Sequence, residues 1–468
     1  MTNSLLAYNH YYLVGIKGVA MTALALILTD MGKTVAGSDT AEVFPTDKLL
    51  KNRHIHFSTN FSTANLTNSQ VVIYGASHQG GNNPQVVYAR KKGLLVLSLA
   101  EFVGYLTTQK TTVAVAGCHG KTTTTALISY CLAKAKLDPS YFVGSSGFMD
   151  FASGAWGKGN WFAVEADEYL TCPYYLRKAK FLFYHPLFLI VTNLDFDHPD
   201  FYADFEAVKK SFRQLFSQLD KKAKLIINGD DSELLFLAKS THPNYLSYGF
   251  KKHNHYQIIN DGFKMKIMFN NQVLLSLTPT LLGSHNRLNL ASAIVFLQQT
   301  KIPLNTFIPF LNEFKGAKRR LELVAKVGQH LVYDDYAHHP AEIKASLAAL
   351  KNAYPQHKLA VCFQPHTFSR TQALLFDFVR ILSITDYLGL LPIFASAREQ
   401  IDAKVYNDNL IKALPKSLRW TLLKTDSDYE NLVKNSQALT GPWLYVTMGA
   451  GNVREFAPLI IQALKKYG

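Results

Sequence analysis

The residues best suited to chemistry form a glycine loop, Gly117 to Thr122, with the sequence Gly-Cys-His-Gly-Lys-Thr. A β-branched run at 112–115 precedes the loop and is typical of a buried strand, and apolar residues recur at helical spacing after Lys121. The start of a helix offers an anion unpaired N–H groups and the positive end of a dipole. The lysine of such a loop reaches the terminal phosphates, and the threonine hydroxyl binds Mg²⁺. The pattern predicts an ATP site. The alternative is a chance Gly-Lys-Thr turn.

Carboxylates follow two further predicted strands. Strand 161–164 ends in the acidic run 165–168, Glu-Ala-Asp-Glu, and strand 187–192 is followed by the run 193–198, Asn-Leu-Asp-Phe-Asp-His. Oxygen ligands at the carboxyl ends of neighbouring strands favour a Mg²⁺ site. A solvated acidic turn is the alternative for the first run, and a structural hydrogen bond is the alternative for His198.

A second glycine turn lies near the N-terminus. A strand that ends at Gly15, a helix, and a second strand that ends before Asp39 form a βαβ unit, with Asp39 roughly where Rossmann-type sites bond a ribose. Lys17 and Ala20 replace two glycines of the dinucleotide fingerprint, so NAD is not expected. A single diphosphate at the helix N-terminus fits the pattern, and a purely structural βαβ domain is the alternative.

Polar residues also follow the strands predicted in the last third of the chain. Strand 331–333 runs into Asp334-Asp335-Tyr336-Ala337-His338, and strand 360–363 runs into the polar stretch 364–371. Strands with polar ends that alternate with helices indicate a doubly wound sheet with its crevice at the carboxyl ends. The segment 315–320 is interpreted as the linker to this region.

Two features lie between these regions. Residues 245–281 alternate between apolar and polar types, which predicts hairpins. The helix that follows opens at Ser284 and carries Asn286 and Asn289, whose amides can pair with an adenine edge. Helix capping by Ser284 is the alternative reason for a polar helix start.

Composition limits the class of protein. The 468 residues suggest about three domains, and the net charge of +15 is spread over scattered lysines and arginines without a nucleic-acid-binding signature. We therefore expect no nucleic-acid partner. The four cysteines lack metal-ligand spacing, which suits a reducing cytosol. No signal peptide and no apolar run of about 18 residues occurs, so we expect a cytoplasmic protein without a membrane partner.

Taken together, the motifs resemble those of the Mur ligase family along the whole chain. They occur in the family's order at 117–123, 165–168, 193–198, 285–289, 318–320, 334–340, 363–371 and 448–451. The resemblance implies an α/β protein of three domains. These are a Rossmann-like UDP-substrate-binding domain (1–108), a central P-loop ATPase domain with a mostly parallel sheet (109–316) and a C-terminal Rossmann-like amino-acid-binding domain (317–468).

The stretch 364–371 is especially similar to the alanine-adding branch of the family. That branch implies an ATP-dependent ligase that joins L-alanine to the carboxylate of UDP-N-acetylmuramate through an acyl phosphate, for peptidoglycan precursor synthesis. One alternative is the related murein tripeptide recycling ligase. Another is a degenerate homologue that binds nucleotide without ligation, and a nucleic-acid-stimulated P-loop ATPase is a more distant one. We expect a monomer or a weak homodimer.

The resemblance also implies roles for individual residues. Lys121, Glu165, His198, His338 and Arg370 would be catalytic, and Thr122, Glu165 and His198 would bind Mg²⁺. The nucleotide would contact Gly117, Cys118, His119, Gly120, Lys121, Thr122, Thr123, His285, Asn286, Asn289, Arg319, Arg320 and Asp335. The UDP substrate would contact Gly15, Gly18, Ser38, Asp39 and Ser77, and the alanine and the reacting carboxylate would contact Tyr336, His338 and Arg370. Domain closure would complete the site. Cys118 departs from the family, which usually has threonine there.

Overall fold

The computed structural model describes residues 4–172, 175–394 and 409–467. The chain divides into two compact units. The first unit consists of Met1–Phe196, Phe201–Thr280 and Asn286–Lys318. The second unit consists of Asp197–Asp200, Leu281–His285 and Arg319–Gly468.

The described strands and helices alternate over most of the chain. The strands are β1 (His10–Val14), β2 (Thr34–Ser38), β3 (His56–Ser58), β4 (Val71–Tyr74), β5 (Leu95–Ser98), β6 (Thr111–Ala116), β7 (Ser140–Phe142), β8 (Gly154–Ala155), β9 (Trp161–Glu165), β10 (Leu170–Cys172), β11 (Leu176–Ala179), β12 (Phe188–Val191), β13 (Lys224–Asn228), β14 (Tyr245–Gly249), β15 (Tyr256–Asp261), β16 (Lys264–Phe269), β17 (Gln272–Leu277), β18 (Glu322–Val327), β19 (His330–Asp335), β20 (Lys358–Phe363), β21 (Tyr387–Leu390), β22 (Trp420–Leu422) and β23 (Trp443–Met448). The α-helices are α1 (Val19–Asp30), α2 (Asp47–Asn52), α3 (Pro84–Lys91), α4 (Leu99–Thr107), α5 (Lys121–Lys134), α6 (Phe205–Ser217), α7 (Ser232–Thr241), α8 (Ser284–Gln298), α9 (Ile308–Glu313), α10 (Pro340–Ala353), α11 (Phe368–Ala373), α12 (Leu375–Leu382), α13 (Asp426–Gln437) and α14 (Ala457–Tyr467).

The first sheet of the first unit is parallel throughout, in the order β3-β2-β1-β4-β5. Its central strand β1 is buried at four of five positions, and α1 is buried from Met21 to Leu28. Parallel sheets need cover on both faces, which explains the near-continuous apolar runs of these elements. The predicted βαβ unit is confirmed, with Gly15 directly after β1 and Asp39 directly after β2.

The second sheet of the first unit has ten strands in the order β17-β16-β15-β14-β13-β12-β6-β9-β7-β8. Strands β7, β9, β6, β12, β13 and β14 run parallel, so β6, β9 and β12 place their carboxyl ends at one edge. Strands β15 to β17 form the hairpins expected between 245 and 281, but β14 joins the parallel part instead. A separate antiparallel hairpin, β10–β11, follows β9 and was not predicted.

The sheet of the second unit has the order β18-β19-β23-β20-β21-β22 and is parallel apart from the β18–β19 pair. Its strands β20 and β23 are buried along almost their whole length. The predicted α/β class with three sheets rich in parallel strands is therefore confirmed. The polar runs that begin at Asp334 and Gln364 lie at the carboxyl ends of β19 and β20, which flank β23 in this sheet.

Two further facts concern the chain as a whole. All four cysteines, at positions 118, 131, 172 and 362, are buried thiols outside any disulfide. Among the described helices, none has the length and apolar composition that crossing a bilayer requires.

Candidate functional site

The glycine loop connects β6 to α5, as the sequence predicts, and two of its positions require glycine. Gly117 and Gly120 have φ angles of +119° and +85°, in the left-handed region. A Cβ atom on Gly117 would lie 2.2 Å from the hydroxyl of Thr192, and a Cβ atom on Gly120 would lie 2.4 Å from the amide oxygen of Asn289. The loop is therefore packed so tightly that no side chain fits at these two positions.

The loop is fastened to the segment that follows β12. His119 donates its backbone N–H to Asn193 and its ring Nε2 lies 2.9 Å from Asp195. The Cys118 thiol donates to the carbonyl of Asp195 and accepts the N–H of the same residue. These contacts hold the loop in one conformation. The sequence placed Asn193 and Asp195 at a strand end, but it carried no signal for their contacts with the loop.

Lys121 is the first residue of α5, and its ammonium group is almost fully buried. It donates to the carbonyls of Gly117 and Cys118 and pairs with the buried carboxylate of Glu168 at 2.7 Å. Burial alone would lower the pKa of Lys121, but Glu168 and the neighbouring carboxylates raise it above its usual value. The lysine is therefore charged at neutral pH, and its charge faces the glycine loop.

Thr122 and Glu165 lie beside each other, one from α5 and one from the end of β9. The threonine hydroxyl donates to one carboxylate oxygen of Glu165 at 3.0 Å, and the backbone N–H of Gly144 donates to the other at 2.8 Å. A hydroxyl and a carboxylate held together are oxygen donors of the type that Mg²⁺ takes. Thr123 is buried in the same first turn of α5. The donor set at this edge of the sheet thus fits the predicted metal site.

The two asparagines of α8 are buried and paired. Asn289 donates its side-chain amide to the amide oxygen of Asn286 at 3.1 Å, and it lies against Gly120 of the loop. The first unit therefore places Asn289 beside the glycine loop. His285 belongs to the second unit, where burial lowers its pKa to about 4.

The N-terminal glycine turn brings together residues from three strand ends. Gly15 has a φ of +81°, and Gly18 donates its N–H to the carbonyl of Gly15. Asp39 is buried, accepts the N–H groups of Lys17 and Thr40, and lies 3.2 Å from the ring nitrogen of His78. Burial alone would raise the pKa of Asp39, but the hydrogen bonds from His78 and the backbone lower it.

Two other residues predicted at this turn, Ser77 and Ser38, have different surroundings: the first lies in a loop and the second faces the interior. Ser77 is the third residue after β4, and its carbonyl accepts the N–H of Gly80, which orders the loop that carries His78. The Ser38 side chain is fully buried and donates to Gln85, so it faces the interior of the unit. His78 was not among the predicted site residues. Its position next to Ser77 is the signal that could have identified it.

The second unit contains a buried ion pair of its own. The guanidinium of Arg370, on α11, donates to the Asp197 carboxylate at 2.6 Å and again at 3.2 Å. Burial alone would raise the pKa of Asp197, but His198 and Arg370 hold it well below the usual range. His198 adopts a left-handed backbone with φ of +60° and donates its N–H to Asp197. Asp197 therefore positions both predicted catalytic residues, a role that the sequence did not reveal.

His338 is a neutral histidine near this pair. Burial and the charge of Arg370 lower its pKa to about 4. Its Nδ1 lies 3.0 Å from the carbonyl of Tyr336, which can only accept, so Nδ1 carries the proton and Nε2 has the lone pair. Glu342 accepts the N–H of His338. The ring is thus held with a basic nitrogen available.

Asp335, Arg319 and Arg320 complete the predicted set in the second unit. Asp335 is buried, accepts the hydroxyl of Ser346, and burial raises its pKa to about 6. Arg319 donates to the carbonyl of Gly449 and pairs with Asp334, and Arg320 pairs with Glu342. Both guanidinium groups lie over the ring of Tyr336, at 5.0 Å and 5.2 Å.

Comparison with known proteins places these features in a family. The family model described as the Mur ligase middle domain matches residues 115–297, the Mur ligase family catalytic domain matches 10–111, and the Mur ligase glutamate ligase domain matches 319–451.

Curated relatives match over almost the full length of the chain. A relative from Lactiplantibacillus plantarum named UDP-N-acetylmuramate–L-alanine ligase is 36% identical over 464 residues, which cover 97% of this chain and 99% of the relative. A relative from Desulfitobacterium hafniense with the same name is 32% identical over 455 residues, which cover 95% of this chain and 97% of the relative.

Solved structures show the same fold. The UDP-N-acetylmuramate–alanine ligase of Thermotoga maritima superposes with a TM-score of 0.79 at 22% identity, covering 98% of this chain and 100% of that one. A murein peptide ligase from Psychrobacter arcticus superposes with a TM-score of 0.74 at 23% identity, and the superposition covers 98% of this chain and 99% of that one. At these identities the structures are evidence for the fold, while the curated relatives are evidence for the family.

Proposed function

We propose that this chain, which belongs to the Mur ligase family, joins L-alanine to the carboxylate of UDP-N-acetylmuramate with conversion of ATP to ADP and phosphate. The observation that carries the proposal is the near full-length similarity to relatives named for this activity, at 32% and 36% identity. The product would be a precursor of peptidoglycan.

The glycine loop of the first unit supports ATP as a substrate. The Lys121 ammonium and the backbone N–H groups at the start of α5 would hold the β- and γ-phosphates. Asn289 lies against Gly120, so it and Asn286 would meet the adenosine end of the nucleotide. We assign Thr122 and Glu165 to Mg²⁺, which neutralises phosphate charge when bound.

The N-terminal glycine turn supports a nucleotide sugar. The buried Asp39 and the partly exposed His78 form a pair beside Gly15, and the start of α1 supplies N–H groups that have no partner within the helix. A diphosphate would lie against Gly15 and Gly18, and Asp39 with the loop of Ser77 would bond the nucleoside. Ser38 faces the interior, so its contribution would be structural.

The second unit supplies groups suited to an amine and a carboxylate. Arg370 presents a planar cation that can bind a carboxylate in a bidentate way. The neutral His338, with its lone pair on Nε2, would accept a hydrogen bond from the attacking amine, and Tyr336 lies beside it with a ring contact of 5.4 Å. We assign His198 to a second Mg²⁺, and Arg319, Arg320, Asp335 and His285 to the nucleotide.

The reaction must bring two anions together before a bond can form. A carboxylate oxygen of UDP-N-acetylmuramate attacks the γ-phosphorus, and the bond to ADP breaks. The alanine amine then attacks the acyl carbon, an amide forms, and phosphate leaves with the former carboxylate oxygen. Cations such as Lys121 and Arg370 reduce the repulsion between the anions, and fixed positions reduce the entropy of the encounter. The four buried thiols, which form no disulfide with one another, are consistent with an enzyme that works in the reducing cytoplasm.

The test is phosphate release by the purified protein with ATP, Mg²⁺ and UDP-N-acetylmuramate. We expect phosphate to be released only when L-alanine is present. The product should be heavier than UDP-N-acetylmuramate by one alanine residue. Release only with the L-Ala-γ-D-Glu-meso-diaminopimelate tripeptide would instead identify a recycling ligase. Release with neither amine, by protein with a normal thermal unfolding transition, would indicate a nucleotide-binding homologue without ligase activity.

A further inference from the structure

The hairpin β10–β11 follows the carboxylates next to Lys121 in the chain and packs against the first sheet. Its first strand, Leu170–Cys172, begins two residues after Glu168, which pairs with Lys121. The start of the hairpin is held by Asp167, whose carboxylate pairs with Lys180 at 2.5 Å and accepts the N–H of Tyr169. One end of this short element is therefore attached to the carboxylates of the ATP site.

The other end of the hairpin packs into the first sheet's domain. Cys172 is fully buried in a cluster with Tyr12, Val72 and Tyr74 of that sheet. Its thiol accepts the N–H of Gly81, and a Cβ on Gly80 would lie 2.4 Å from the sulfur. The hairpin thus presses against the main chain of the loop 75–83, which leaves β4.

Tyr175 adds a second contact with the same loop. A Cβ on Gly81 would lie 2.7 Å from the Tyr175 ring, so the ring covers the backbone there. The guanidinium of Arg90 stacks 4.0 Å from the centre of the Tyr175 ring and donates to the carbonyl of Gly81 at 2.6 Å. Gly81 is therefore held by a hydrogen bond from Arg90 and by the Tyr175 ring, and Arg90 and Tyr175 also contact each other.

The loop that is held in this way carries His78. Asn83, at the end of the loop, donates its side-chain amide to the carbonyl of His78 at 3.0 Å. His78 adopts a left-handed backbone with φ of +53°, and its ring lies 3.4 Å from where a Cβ on Gly15 would be. The imidazole reaches Asp39 at 3.2 Å. A loop with such a backbone keeps its conformation only if its surroundings determine it.

We propose that Tyr175 and Arg90 are positioning residues for nucleotide-sugar binding. They act through Gly81 on the loop 75–83 and thereby fix His78 against Asp39 and Gly15. This rests on the proposed function, because the nucleotide sugar is taken to bind at the N-terminal glycine turn. Neither residue needs to touch the substrate. Tyr175 belongs to the same chain segment as Glu168, which pairs with Lys121.

The test compares Tyr175→Ala with Tyr175→Phe in the full chain. The Tyr175 side chain is more than half exposed, so its truncation does not empty the core. We expect Tyr175→Ala to raise the KM for UDP-N-acetylmuramate about 5-fold, the equivalent of roughly 1 kcal/mol, with the KM for ATP unchanged. Tyr175→Phe keeps the ring over Arg90 and should stay within about twofold of the wild type.

A matched control lies on the same helix as Arg90. Lys92 lies 5.6 Å from the ring of Tyr88, a cation–aromatic pair on the surface, and Tyr88→Ala should leave both KM values unchanged. The inference is wrong if Tyr175→Ala behaves like the wild type, or if KM for ATP rises as much as KM for the nucleotide sugar. Failure of the proposed function is distinct, because the wild-type protein itself would then release no phosphate with alanine and UDP-N-acetylmuramate.

Discussion

The first unit contains two glycine turns that look alike in sequence but are built differently. Each follows a buried parallel strand, has a glycine with positive φ, Gly15 at +81° or Gly117 at +119°, and leads into a helix. Each also has a lysine close by, Lys17 or Lys121. On a local pattern alone, both would be phosphate sites of the same kind.

The two turns differ in the groups that the lysine ammonium contacts. The Lys17 ammonium is buried among the carbonyls of Thr40 and Glu42 and the carboxylate of Asp47. The Lys121 ammonium also has two carbonyls and one carboxylate as partners, but the carbonyls are those of Gly117 and Cys118 in its own loop, and the carboxylate is that of Glu168. Lys17 therefore stabilises the fold, while Lys121 is placed for chemistry. The comparison shows that the role of a lysine near a glycine turn can be assigned only from the groups that its ammonium contacts.

Removing the two lysines should differ in its effect on activity, and the larger effect concerns Lys121. Lys121→Ala should reduce phosphate release at least about 100-fold, because it removes the cation aimed at the phosphates. The thermal unfolding transition should remain cooperative. The control is Lys134→Ala, an exposed lysine at the other end of α5, which should keep wild-type activity. Near-normal phosphate release from folded Lys121→Ala protein would contradict the ATP-site assignment.

Lys17→Met should act on stability instead. It leaves Asp47 and two carbonyls without their cation in a buried setting, so we expect the free energy of unfolding to fall by about 3 kcal/mol. Urea unfolding monitored by circular dichroism measures this loss. In the fraction that remains folded at low temperature, the KM for ATP should equal that of the wild type. A raised KM for ATP with unchanged stability would reverse the assignment of the two lysines.

Alanine at the two glycines should sharpen the comparison. In Gly117→Ala the added Cβ meets the Thr192 hydroxyl at 2.2 Å and the Asn193 backbone at 3.0 Å, so the loop must move. We expect the free energy of unfolding to fall by about 2 kcal/mol and the KM for ATP to rise.

The second variant, Gly15→Ala, should have a smaller effect. The added Cβ meets only the edge of the His78 ring at 3.4 Å, so the positive φ alone should lower the free energy of unfolding by about 1 kcal/mol. Equal effects of the two variants on the KM for ATP would show that the turns are equivalent.

The smallest effect is the pH dependence of Asp39. Its pKa is lower in the folded chain, so its charged form contributes stability above the ordinary aspartate value of about 3.9 and loses that contribution as the pH falls through the folded value. Asp39→Asn should therefore unfold about 1 kcal/mol more easily at pH 7. The difference from the wild type should shrink as unfolding is measured towards pH 3. A difference that stays constant with pH would mean that the charge of Asp39 is not what stabilises the turn.

Much of the fold was predictable because its strands are short apolar runs with polar ends. The runs 112–115 and 161–164 were predicted as strands, and they lie within β6 and β9. The β10–β11 hairpin was missed because its strands are short and do not alternate. Strand β14 was missed as a parallel strand because register and direction depend on distant partners.

The candidate site was predictable in its motifs and not in its contacts. The glycine loop and the residues Thr122 and Glu165 could be identified from local patterns, and the structure places the latter two in hydrogen-bond contact. The pair of Lys121 with Glu168 spans 47 residues, and the pair of Arg370 with Asp197 spans 173. No local pattern carries such pairings, because they depend on how loops from different strand ends pack.

The most direct test follows an oxygen atom from UDP-N-acetylmuramate labelled with ¹⁸O in its carboxylate. The protein is incubated with the labelled substrate, ATP, Mg²⁺ and L-alanine, and the released phosphate is analysed by mass spectrometry. If the carboxylate attacks ATP and the amine then displaces phosphate, each phosphate released with product carries one ¹⁸O. Phosphate without ¹⁸O would mean that water, and not the carboxylate, attacks ATP, and would contradict the account of the glycine loop as a site for carboxylate activation.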